Sequence, residues 1–180
     1  MRAYYLDNIP GDRCLLHDSG KAVSRETLQN LNLFYWNIPI DPAGQWQATI
    51  DEVAKSRDYK NRDILDLTTE TLGKEKMDMF FAEHMHEDEE IRFILNGSGF
   101  FDVREHPTDA WIRVHMLPGD LLVLPAGIYH RFTLDESGAV KTMRLFKDEP
   151  RWLAHNRGTE ADSNPYRINY LSSLRKTAVA

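Results

Sequence analysis

Six short β-type runs crowd into residues 92–146, separated by turn residues, and that density constrains the fold more than any other feature of the chain. Arg92-Phe93-Ile94-Leu95 is followed by Asn96-Gly97-Ser98-Gly99 and then by Phe100-Phe101-Asp102-Val103. A strand, a glycine-rich turn and a strand predict a hairpin. Trp111-Ile112-Arg113-Val114-His115-Met116 is a further strand, closed by Pro118-Gly119-Asp120. Leu121-Leu122-Val123-Leu124 is apolar throughout, as a strand covered on both faces must be. Pro125-Ala126-Gly127 turns the chain into Tyr129-His130-Arg131-Phe132, and residues 140–146 form a last strand. Short strands at this spacing build a barrel or a sandwich.

Outside this core the texture changes. Residues 1–71 read as helix and loop, packed on the barrel. Ser24 is placed to cap a short helix carrying Leu28 and Leu31. Trp46, Ile50, Val53 and Ala54 recur at helical spacing, which predicts an amphipathic helix over about 45–56. A third helix starts at Thr68 or Thr69, with Leu72, Met79 and Phe80 on one face. Beyond Pro150, residues 158–164 are polar and read as mobile. Tyr166, Tyr170, Leu171 and Leu174 mark either a terminal helix packed on the core or a partly ordered tail. A chain of 180 residues suits one domain, with the core at 81–146 and a tail at 158–180.

Composition removes several classes of function. The net charge is −6, and Lys and Arg are scattered, so a concentrated basic face for nucleic acid is not expected. No apolar run approaches the ~20 residues of a membrane span, so membrane insertion is not expected. The first fifteen residues lack an apolar stretch of the signal-peptide kind, and an intracellular protein is expected. Asn96-Gly97-Ser98 then reads as a turn rather than a glycosylation site. Cys14 is the single cysteine, so no disulfide forms within the chain, and it reads as a bystander.

The chemistry lies with the histidines. His84 and His86 are two apart, and on a strand both side chains face one side. On a helix they would diverge, so the third helix must end before His84. Glu90 follows four residues after His86. A straight strand would carry it ~13 Å away, whereas ligands of one metal sit ~2 Å from it. The chain must therefore turn within Glu87-Asp88-Glu89, a polar stretch suited to a solvated loop. His130 follows the buried strand and the Pro-x-Gly turn, where one metal can tie two parts of a barrel together. The expectation is a single first-row transition metal held by His84, His86, Glu90 and His130. His17, His106, His115 and His155 receive no functional role.

The same residues resemble the cupin pattern. His84, His86, Glu90 and Gly97 match the first cupin motif, although Asp78 stands where that motif begins with Gly. Gly119, Pro125, Gly127 and His130 match the second, although Leu134 replaces its final Asn. Neither departure removes a ligand. Residues 83–92, residues 127–133 and Arg144-Leu145-Phe146 resemble the acireductone dioxygenase family more closely, above all its fungal-like eukaryotic members. The likeness runs from Tyr4-Tyr5 through residues 59–63 to Asn156-Arg157 and is weakest after Tyr166.

That resemblance implies a mainly β fold with peripheral helices, the cupin double-stranded β-helix or jelly-roll barrel. It implies one Fe(II) or Ni(II) per chain and a place in methionine salvage. The substrate would be the acireductone 1,2-dihydroxy-5-(methylthio)pent-1-en-3-one, cleaved with O2. The Fe(II) form would give formate and 4-methylthio-2-oxobutanoate. The Ni(II) form would give formate, carbon monoxide and 3-(methylthio)propanoate. It also implies residence in cytoplasm and nucleus, and a monomer is expected. Another metal-dependent cupin enzyme and a non-catalytic metal-bound cupin remain open at this point.

The neighbouring residues fit an anionic, methylthio-bearing substrate. Four protein ligands leave two octahedral positions for a chelating enediol. Arg92 shares the strand parity of Glu90 and is the expected catalytic and substrate-binding cation. Arg144 on the last strand is a second substrate-binding candidate. Phe80 and Phe132 are expected to line the pocket for the methylthio end. Glu83 should point away from the metal and is a candidate to hydrogen-bond a ligand imidazole from behind.

Overall fold

Two antiparallel sheets face one another and enclose most of the apolar core between them. The computed structural model describes residues 1–149 and 153–177. The elements run in the order β1 (Arg2–Leu6), β2 (Asp18–Ala22), α1 (Arg25–Asn30), β3 (Phe34–Asn37), α2 (Trp46–Ser56), β4 (Asn61–Thr68), α3 (Thr69–Phe81), β5 (His84–Met85) and β6 (Glu90–Gly97). They continue with β7 (Gly99–Arg104), β8 (Trp111–Met116), β9 (Asp120–Leu124), β10 (His130–Leu134), β11 (Ala139–Phe146), β12 (His155–Asn156), α4 (Thr159–Asp162) and α5 (Pro165–Thr177). The seven-stranded sheet has the order β12-β5-β10-β7-β8-β1-β2, and the five-stranded sheet β3-β9-β6-β11-β4. This is the two-sheet barrel that the cupin resemblance implies.

Strand β9 shows how the pattern builds the layers. Leu122 and Leu124 point between the sheets, beside Phe101, Val103 and Ile112. Leu121 and Val123 point outward and are covered by Ile50, Val53 and Ala54 of α2. The doubly apolar run is thus a central strand with a helix on its outer face, as its composition demands.

Three expectations are corrected. Residues 92–103 do not form a hairpin: β6 pairs with β9 and β11, whereas β7 pairs with β8 and β10. The chain crosses between sheets at Ser98. Gly97 makes this possible at φ 68°, packed so tightly that a Cβ would lie 2.1 Å from the Ala139 carbonyl oxygen. Residues 1–71, read as helix and loop, also supply four strands to both sheets. Their strands pair with partners far along the chain, and β4, for instance, is zipped to β11 over its whole length. Residues 158–164, read as mobile, contain α4, and Tyr129 donates to Asp162 at 2.7 Å there. Of the two readings for the tail, the packed helix is the one found, since Tyr170 and Leu174 of α5 join the core.

The predicted helices form. Ser24 caps α1 by accepting from the Thr27 amide, and Thr68 and Thr71 cap each other reciprocally at the start of α3. Helix α3 kinks at Gly73, which takes Met79 out of register with buried Leu72 and leaves Met79 58% exposed. Ala82 ends that helix, so His84 enters a strand as required.

Candidate metal centre

Three strands bring four donors together. His84 lies on β5 with His86 just beyond it, Glu90 opens β6, and His130 opens β10 directly opposite His84 in the ladder. The polar loop between His86 and Glu90 makes the turn that the spacing required. The Gly127 amide donates to the His86 carbonyl at 2.9 Å and so ties the Pro-x-Gly turn to the His-x-His segment. One ligand atom from each of His84, His86, Glu90 and His130 can be chosen so that all lie within 4.8 Å of one another. The three imidazoles are packed with centroids 4.6–5.4 Å apart. His130 Nε2 is 2.8 Å from Glu90 Oε2, and His86 Nε2 is 3.5 Å from the same atom.

The ring orientations follow from hydrogen bonding. Nδ1 of His84 donates to the Ala82 carbonyl at 2.7 Å, that of His130 to the Ile128 carbonyl at 3.0 Å, and that of His86 to the Leu153 carbonyl at 2.9 Å. A carbonyl only accepts, so each Nδ1 carries a proton; Nε2 of His84 and of His86 keeps its lone pair, while Nε2 of His130 hydrogen-bonds the Glu90 carboxylate, where a bound metal would take the proton's place. For His84 and His86 the protonation states agree. Burial lowers the pKa of His84 to about 4, with His130 adding to the effect, and burial also lowers that of His86. For Glu90, burial disfavours the charge, but Arg92 and then His130 and His86 outweigh it and hold the carboxyl well below its usual range. Neutral imidazoles and an ionised carboxylate are the forms that bind metal. Three nitrogen donors and one oxygen donor suit a divalent first-row transition metal.

The four donors line a cavity of about 280 Å³. Its walls are apolar, with Leu65, Phe80, Ile94, Phe101, Phe132 and Val140 among them, and Arg92 and Arg144 also line it. Phe132 packs between Phe101 and Phe80, at centroid distances of 5.0 and 6.4 Å. Arg92 contacts Glu90 Oε1 at 2.7 Å. Arg144 stands opposite Arg92 in the ladder and is gripped by Asp63 of β4 through two hydrogen bonds. A second cavity, about 350 Å³, meets the first at His86, Glu90 and Arg92 and runs along the acidic loop 87–89.

The structure therefore brings together every expected site residue except Glu83. That side chain does face away from the donors, but it contacts no imidazole. Arg104 binds it at 2.9 and 3.0 Å and Arg157 at 2.8 Å, while backbone carbonyls take the three Nδ1 protons. The sequence reading missed Leu65 and Leu67, Phe101, Thr142, and Ala154 in the cavity wall. The alternation Asp63-x-Leu65-x-Leu67 is the signal that could have found β4. Nothing local marks Leu153 or Ala154.

Comparison with known proteins gives a consistent result. A sequence model of the ARD/ARD′ family matches residues 2–154. Acireductone dioxygenase 1 of Coprinopsis cinerea is 56% identical over 177 residues, covering 97% of this chain and 98% of that one. Acireductone dioxygenase of Phaeosphaeria nodorum is 51% identical, covering 95% of each chain. Among solved structures, an acireductone dioxygenase from Bacillus anthracis with a cadmium ion in its active centre has a TM-score of 0.62 and 28% identity, covering 72% of this chain and 86% of that one.

Proposed function

The chain belongs to the ARD/ARD′ family, and on that premise we propose that it is an acireductone dioxygenase of methionine salvage. It cleaves 1,2-dihydroxy-5-(methylthio)pent-1-en-3-one with O2. The observation that carries this reading is the convergence of His84, His86, Glu90 and His130 in the wall of a mostly apolar cavity that is also lined by two arginines.

The residues take the following parts. Nε2 of His84, His86 and His130 and an oxygen of Glu90 hold one Fe(II) or Ni(II) per chain. The bound metal supplies a Lewis acid and a template for a chelating enediol. Arg92 places its guanidinium beside the donor cluster and favours the enediolate over the neutral enediol. Arg144, steered by Asp63, adds a second cation on the same wall. Phe80, Phe132 and their apolar neighbours receive the methylthio end and exclude water from the carbons that react. With Fe(II) the products are formate and 4-methylthio-2-oxobutanoate. With Ni(II) they are formate, carbon monoxide and 3-(methylthio)propanoate. The working form is a monomer in cytoplasm and nucleus, which light scattering and imaging of a tagged chain would check.

The deciding experiment measures the metal content of protein purified from its own cells and then the turnover of its Fe(II) and Ni(II) forms with acireductone and O2. Formate from both forms, with carbon monoxide only from the Ni(II) form, is the expected result. A bound metal with no turnover of acireductone by either form would overturn the assignment and leave another enediol or a binding role.

A further inference from the structure

Two of the three imidazoles are oriented by the chain just ahead of them: His84 and His130 each donate to the carbonyl two residues before them. His86 differs. Its Nδ1 partner is the carbonyl of Leu153, 67 residues downstream and outside the barrel strands. His86 is also the most exposed of the four donors, at 22% for its side chain against 10% for Glu90 and 2% for His130.

The segment that carries this carbonyl is fastened to the strand bearing the ligands. Strand β12 pairs with β5, His155 opposite Met85 and Asn156 opposite His84. The Arg157 amide donates to the Glu83 carbonyl at 3.0 Å. Its guanidinium bonds Glu83 at 2.8 Å and Asp109 at 3.0 Å and lies 5.2 Å from the Tyr129 ring centre. Arg104 grips the other side of Glu83. Arg157 thus bolts residues 153–157 to the residue next to His84, on the face away from the donors. Ala154 of the same segment lines the cavity.

We propose that residues 153–157 act as a clamp on His86, with Arg157 as the positioning residue, so that retention of the metal depends on a segment that supplies no ligand. The physical basis is the fixing of a ligand's tautomer and ring plane by the hydrogen bond on its far nitrogen, whose loss commonly weakens metal binding 10–100-fold. The inference deepens the proposed metal centre and rests on it.

The test uses the full chain loaded with Ni(II) or Zn(II). Transfer of Ni(II) to a chelator is timed in the parent protein, in Arg157→Ala and in Arg157→Lys. The expected result is release about tenfold faster in Arg157→Ala, with a substantial part regained in Arg157→Lys. Glu83 keeps Arg104 in both variants, so the barrel stays folded, which circular dichroism verifies. Nitrogen-15 spectra of the Zn(II) forms supply a readout that general loosening would not give. The His86 Nδ1–H signal should broaden or vanish in Arg157→Ala while those of His84 and His130 persist. Release within twofold of the parent, or equal loss of all three ring signals, would overturn the clamp. Failure of the parent protein to hold metal at all would instead overturn the metal centre.

Discussion

Two networks of charged side chains lie in this barrel, and they are built differently. In the first, Asp102 accepts from Arg113 at 2.7 and 2.9 Å and from Arg131 at 2.8 Å. Arg113 also donates to the carbonyls of Arg13 and Leu15 and stacks over Phe100. Asp102 and Arg113 are each only 1% exposed, and neither lines a cavity described above. In the second, Arg92, Arg144 and Asp63 lie side by side across β6, β11 and β4, with the two cations opposite one another, Asp63 bound to Arg144 and Glu90, two residues along β6, bound to Arg92. Like charges set opposite across strands oppose folding. The first network closes on protein groups and pins the N-terminal loop to the seven-stranded sheet. The second is held in a less favourable arrangement and faces the cavity. The first network lies away from both cavities, whereas Arg92 and Arg144 of the second line the one that a ligand can fill.

The sharpest way to set the scale is to remove a donor. His130→Ala should abolish stoichiometric metal and lower kcat/KM at least about a thousandfold, since metal-derived stabilisation amounts to several kcal/mol. Metal analysis and oxygen uptake check it. The contrast between the networks then predicts opposite outcomes for two arginines. Arg113→Met should destabilise the fold by about 3–5 kcal/mol in denaturant melts, with metal content per folded chain unchanged. Arg92→Met should lower kcat about 10²–10³-fold, as loss of a charge-stabilising donor does, and shift the melt far less. If Arg92→Met unfolds the protein as readily as Arg113→Met, the distinction between the networks is wrong.

Smaller effects probe the cavity and the donors. Phe132→Ala should lower kcat/KM about tenfold for the methylthio substrate, and less for an analogue lacking that group, because a hydrophobic contact of this size is worth ~1–3 kcal/mol. Steady-state kinetics on both compounds decides it. Folding stability of the metal-free protein should decline as pH falls from 6.5 towards 4. Over that range an unfolded histidine gains a proton that His84, its pKa depressed by burial to about 4, refuses. The unfolded state then binds more protons, so the loss lies on the acid side. Thermal melts across this window should show the decline, and His84→Gln should flatten part of it.

How far the sequence reached can be judged from single residues. The four donors were legible because a His-x-His strand pair, a turn-forming acidic loop and a Pro-x-Gly turn are local patterns with fixed geometric consequences. Arg92 and Phe132 were legible from strand parity with Glu90 and His130, Phe80 from its place just before the ligand pair, and Arg144 from its place on the last strand. Leu65, Leu67 and Ala154 were not, because they enter the cavity from segments paired only at long range. Glu83 was placed on the correct face, but its partners Arg104 and Arg157 lie 21 and 74 residues away.

The sequence by itself determined which runs between residues 92 and 146 are strands, where the chain must turn there, that Leu121-Leu122-Val123-Leu124 lies at the centre of a sheet, and which imidazoles and carboxylate share a face. These follow from the two-residue repeat of a strand and the conformational demands of Gly and Pro, which act over a few residues. Tertiary structure alone decided that β6 and β7 join different sheets, that carbonyls rather than Glu83 orient the ligand rings, and that His86 depends on Leu153. Those outcomes rest on register between distant strands, which is fixed by the packing of whole faces and carries no local signature in the chain.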